Sequence, residues 1–67
     1  MKIAVNDREI DVDQNATLAS LMTAMQLSER RGVAASLNGT VVPRATWEQR
    51  MLEPGDRVLV IQAAQGG

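Results

Sequence analysis

The 67-residue chain has no cysteine and no histidine, and Lys2 is its only lysine. Without cysteine it can form no disulfide, thiolate nucleophile or iron–sulfur ligation, and most structural zinc sites are excluded. Without histidine it lacks the commonest general base and the commonest metal ligand, so a serine triad of the ordinary kind is excluded. No glycine-rich phosphate loop followed by Lys-Ser or Lys-Thr occurs, which excludes that route to nucleotide chemistry. Trp47 is the sole aromatic residue, so the interior has to be built from aliphatic side chains and methionine. Seven Lys+Arg against eight Asp+Glu leave a net charge of −1, and no basic face for nucleic acid is expected. The opening stretch, Met1-Lys2-Ile3-Ala4-Val5-Asn6-Asp7, turns polar after Val5, so neither a signal peptide nor a membrane span is expected, and the expected setting is the cytoplasm. A chain this short makes one domain, with a radius of gyration of about 11 Å and little room for an internal ligand cavity. It is not expected to be an enzyme, nor to bind a metal or cofactor of its own.

What the chain does contain is a clear succession of elements. Ile3 and Val5, then Ile10 and Val12, alternate with polar or small residues, and Asn6-Asp7 between them is a turn signal. Residues 2 to 13 are therefore expected to form a β-hairpin, with Asp11 and Asp13 solvated. Leu18, Leu21, Met22 and Met25 fall on one stripe of an amphipathic helix, which Thr17 or Asn15 would cap. Arg30 and Arg31 form either an anion site or a solvated pair, and Gly32 ends the connection. Val33 to Leu37 resumes a strand, Asn38-Gly39 is a strong hairpin signal, and Thr40-Val41-Val42 returns until Pro43 ends the strand or marks a sheet edge. Residues 44 to 52 are expected to be irregular or a short helical turn, with Trp47, Met51 and Leu52 on its apolar side. Trp47 suits packing, and Arg44 is either solvated or steers an acidic partner. Glu53-Pro54-Gly55-Asp56 is a turn, and Val58-Leu59-Val60-Ile61 is a strand with two apolar faces. One helix across one face of a mixed sheet is the simplest way to bury these stripes.

The last residues are the one feature with chemical potential. Residues 63 to 67, if extended, span about 16 Å at roughly 3.3 Å per residue, enough to reach into another protein. Gly66 and Gly67 lack Cβ, so their backbone can pass a channel too narrow for other residues. An α-carboxylate is an anion and a poor electrophile at neutral pH, so reaction there requires a mixed anhydride such as an acyl-adenylate. The nucleotide chemistry would belong to a partner, and this chain would be its substrate. The alternative is a plain tail of small residues.

The order of these motifs resembles the thiamine-biosynthesis sulfur carriers, the ThiS family of the ubiquitin-like β-grasp group. The resemblance is carried by Thr17-Leu18-Ala19-Ser20-Leu21 opening the helix, Asn38-Gly39, Val42-Pro43-Arg44 with Trp47, Gly55-Asp56, Gln62 and the closing Gly66-Gly67, and it runs the length of the chain. It implies an α+β β-grasp domain over residues 1–62, one helix on a mixed four- to five-stranded sheet, and a flexible tail over 63–67. It further implies that the Gly67 carboxylate is adenylated by an E1-like enzyme using MgATP, with Gln65 and Gly66 threading that enzyme's channel. A persulfide from a sulfurtransferase or cysteine desulfurase would then convert the acyl group to a thiocarboxylate that supplies thiazole synthase. In such a fold the helix would cover Val58 and Val60, leaving Leu59 and Ile61 on the open face as part of a partner-docking patch. The small subunit of molybdopterin synthase and a ubiquitin-like protein modifier are the alternatives that share such a tail.

Overall fold

The computed structural model describes residues 1–62; the expected tail at 63–67, with Gln65, Gly66 and Gly67, lies outside the described residues. Among the described residues, five strands, one α-helix and one 3-10 helix follow in the order β1 (Lys2–Val5), β2 (Arg8–Asp11), α1 (Leu18–Ala24), β3 (Val33–Leu37), β4 (Thr40–Val42), the 3-10 helix (Arg44–Gln49) and β5 (Arg57–Gln62). The strands form one mixed sheet in the order β2-β1-β5-β3-β4. Both hairpins are antiparallel, β3 and β5 are antiparallel, and β1 and β5 run parallel. The last strand in sequence is thus the central strand in space. The Cα radius of gyration is 11.5 Å, as expected for a single small core.

Local chemistry explains each element. Asn6 and Asp7 have φ of 49° and 68°, and Asn38 and Gly39 have φ of 51° and 89°. Positive φ at both central residues defines the two-residue turn whose twist matches that of paired strands, and asparagine, aspartate and glycine tolerate it best. At α1, the Thr17 hydroxyl accepts from the Ser20 N–H at 3.1 Å while the Ser20 hydroxyl oxygen accepts from the Thr17 N–H at 2.9 Å. Of the two expected caps, Thr17 is the one used, in a reciprocal box with serine in place of the usual glutamate. The helix then stops at Met25, because Gln26 turns to φ of 62° and the Leu27 N–H returns to the Met22 carbonyl at 2.8 Å. Closing bonds of this kind usually need glycine, so the sequence pattern did not mark the end.

The helix lies on one face of the sheet. Leu18, Leu21 and Met22 meet Ile3, Val5, Val33, Ala35, Leu37 and Val58, all buried. Met25 and Val60 are only partly buried at the margin of this core. The segment after Pro43 closes the core from the side. Trp47 is 3 % exposed and its indole Nε1–H donates to the Val42 carbonyl at 2.9 Å, so the packing role expected for it is the one observed.

Two expectations need correction. Met51 is 50 % exposed and does not share the apolar side with Trp47 and Leu52. Residues 50–52 run against 16–18, through a Thr17–Met51 bridge and backbone bonds from Leu18 to Arg50 and from Leu52 to Ala16. Alternation along that stretch sends Leu52 inward and Met51 outward. Arg44, although exposed, is neither merely solvated nor free to steer a partner. Its guanidinium donates to the Ser28 and Arg30 carbonyls, each at 2.6 Å, and its Cζ sits 5.0 Å from the centre of the Trp47 ring. It ties the connection after α1 to the 3-10 helix, a role that a planar five-donor cation suits.

Candidate functional site

The candidate site is the end of β5 and the sheet face it presents. Because side chains alternate across a strand, burial of Val58 turns Leu59 and Ile61 to the opposite face. They are 50 % and 57 % exposed, which matches the face expected for them. Their neighbours on β3 are small: Ser36 lies opposite Leu59 and Ala34 opposite Ile61. Ser36 also lies opposite Val41 of β4, which is 68 % exposed. Strands are about 4.8 Å apart, so Leu59, Ser36 and Val41 form a row about 10 Å across, with small residues as its floor and larger apolar ones at its sides.

Val41 was not singled out from sequence alone, yet the signal was there. A two-residue Asn38-Gly39 turn sets Leu37 opposite Thr40, and hence Ser36 opposite Val41. The other half of the same face is charged. Lys2 Nζ lies 3.9 Å from Glu9 and 3.6 Å from Asp11, all well exposed, and Arg57 lies opposite Ala4. Surface pairs of this kind contribute little to stability, but they keep that half of the face wet.

The turn leading into β5 is fixed from outside. The Asp56 carboxylate accepts from the Asn38 side-chain amide at 3.0 Å and from the Glu53 N–H at 2.7 Å. The Asn38 side-chain oxygen in turn accepts from the Arg57 N–H at 2.9 Å. The Asn38-Gly39 hairpin and the Gly55-Asp56 turn, 18 residues apart, are therefore one knot. Among the described residues no group of three metal-ligating side chains could hold an ion, and no helix is long and apolar enough to cross a membrane.

This arrangement offers a strand held at its start, an apolar face along its length and a small-residue segment beyond its end. It offers no nucleophile or base poised for catalysis among the described residues. The model of the ThiS family matches residues 1–67, the entire length, closing glycines included. The chain belongs to the ThiS family. It is 34 % identical over 68 residues to the sulfur carrier protein ThiS of Escherichia coli strain K12, and the match covers all of both chains. The ThiS crystal structure from Geobacter metallireducens superposes with a TM-score of 0.83 at 26 % identity, with both chains fully covered. SAMP1 from Haloferax volcanii, at 18 % identity and a TM-score of 0.57 over 98 % of this chain and 97 % of that one, shares the fold. The β-grasp architecture expected from the resemblance is thus the one the chain adopts.

Proposed function

We propose that this ThiS-family chain is a sulfur carrier whose reactive group is the Gly67 carboxylate, and that it is a co-substrate rather than a catalyst. An E1-like enzyme with MgATP converts the carboxylate to an acyl-adenylate and releases pyrophosphate. The terminal sulfur of a persulfide, held by a sulfurtransferase or cysteine desulfurase, attacks the acyl carbon and AMP leaves. A second thiol then attacks the donor's sulfur in the acyl disulfide, forming a disulfide with it and releasing a proton, and the thiocarboxylate leaves as the displaced group and remains on the chain. That sulfur, a better nucleophile than a carboxylate oxygen, passes to thiazole synthase. The reading belongs to the cytoplasm, where MgATP is available.

The observation that carries this reading is the family match through Gly66 and Gly67, joined to end-to-end similarity with the E. coli carrier. The disposition of β5 supports it. The row of Leu59, Ile61 and Val41 lies on β5, the strand that precedes residues 63–67 in sequence, and on the strand next but one to it, so a partner that grips the face holds the strand next to the reactive end. Gln65 and Gly66 then thread the partner's channel, with glycine needed where the walls close in.

Intact-mass measurement tests the proposal. The chain is incubated with an E1-like enzyme, MgATP, a persulfide donor and a thiol reductant, and its mass is expected to rise by the difference between sulfur and oxygen. Covalent attachment to lysines of other proteins, with no such change, would instead make it a modifier.

A further inference from the structure

β1 ends at Val5, but the ladder it makes with β5 runs one rung further. In a parallel pair, a residue facing its neighbour donates its N–H to one carbonyl and accepts, two positions further along the neighbour, from the next N–H. The Ala4 N–H donates to the Asp56 carbonyl at 2.9 Å, and the Asn6 N–H to the Val58 carbonyl at 3.0 Å. The following rung would bring the Val60 N–H to the Asn6 carbonyl. The chain instead turns at Asn6, with φ of 49°, into the β1–β2 hairpin. The Asn6 side chain supplies the missing acceptor: its Oδ1 receives the Val60 N–H at 2.8 Å, across a sequence separation of 54. Beyond that bond, among the described residues, β5 is paired from the β3 side alone, up to Gln62 opposite Val33.

Two demands therefore meet at Asn6. The turn needs a residue that tolerates the left-handed region, and the strand end needs a short side-chain oxygen. Glycine meets the first demand only; aspartate meets both.

We propose that Asn6 is a positioning residue for acyl activation. By closing the last rung on Val60 it holds Leu59, Ile61 and the point of departure of residues 63–67 in one register for the activating enzyme. It touches no reacting atom. Its loss loosens the strand end, so the partner must order that segment on binding, and the penalty falls on association rather than on chemistry. This inference rests on the carrier reading above.

The test combines amide exchange on the full chain with the kinetics of adenylation by an E1-like enzyme and MgATP. In Asn6→Gly, exchange at Val60 is expected to accelerate about tenfold, in keeping with loss of one hydrogen bond, while the amides of Leu37 and Val58 stay protected. The KM for the carrier is expected to rise roughly fivefold with kcat unchanged, because ground-state association is what weakens. Asn6→Asp is expected to restore both. Asp7→Ala strains the same turn, at φ of 68°, without touching the rung. An equal rise in KM in Asp7→Ala would overturn the proposal, since general loosening of the hairpin would then suffice. Unchanged Val60 exchange in Asn6→Gly, an unchanged KM, or failure of Asn6→Asp to restore them would overturn it too. If the unsubstituted chain is not adenylated at all, the carrier reading falls and the positioning role with it, whereas Val60 exchange still reports separately on whether the rung exists.

Discussion

Single side chains in this protein carry distinct tasks, and substitution separates them. Leu59 is half exposed on the open face of the central strand, so Leu59→Asp is expected to cost about 1 kcal/mol and to leave the domain folded. It is expected to weaken binding to the adenylating enzyme by roughly tenfold or more, because a charge would lie in a dry apolar contact. Calorimetric titration and urea unfolding check the two halves, and unfolding of the variant would mean that the residue supports the core. Arg44 makes the opposite case. Arg44→Lys keeps the charge but cannot reach both the Ser28 and Arg30 carbonyls in one plane, and a loss of about 1 kcal/mol is expected in urea melts. The sequence marked Arg44 and Trp47 as a pair worth noting. It could not say that the guanidinium serves the connection after α1, because those carbonyls lie 14 and 16 residues away.

At the level of elements, most of the chain was legible because its signals are local. Alternation in residues 2–5 and 33–37, the two asparagine-led turns and the Leu18-Leu21-Met22 stripe each act within a few residues, and each element formed where its pattern lies. Less legible were the helix end, where Gln26 does the work usually given to glycine, and the 50–52 stretch, whose alternation is imposed by contact with 16–18. The reciprocal Thr17–Ser20 cap is the clearest local device. Thr17→Ala removes the acceptor for the Ser20 N–H, and with only seven residues in α1 the loss cannot be spread. About 1 kcal/mol of destabilisation is expected, seen as a lower urea midpoint with an unchanged slope.

For the molecule as a whole, direction matters most. β1 runs parallel to β5, so the amino terminus lies at the end of the sheet opposite the one from which β5 leaves. The Met1 ammonium donates to the Val12 carbonyl at 2.7 Å, a bond that an amide N–H can also make. An amino-terminal tag is therefore expected to leave charging intact. One further residue after Gly67 is expected to abolish it, since the acyl carbon would no longer sit behind two residues without Cβ. Mass spectrometry of both variants after incubation with the adenylating enzyme and MgATP distinguishes the cases, and full charging of the extended chain would refute the assignment of Gly67.

The sequence by itself determined which segments become strands, turns and helix, because hydrophobic alternation, left-handed turn residues and caps act between near neighbours. Its order of motifs also pointed to the family. The residues of the fully apolar Val58–Ile61 run leave open which face is covered; the family resemblance implied the answer and the tertiary structure bears it out. Only the tertiary structure decided that Val41 joins Leu59 and Ile61 and that Asn6 closes a rung on Val60. Those outcomes depend on placing β5 between β1 and β3, and strand pairing over such separations follows from packing the helix against one sheet face rather than from any local preference.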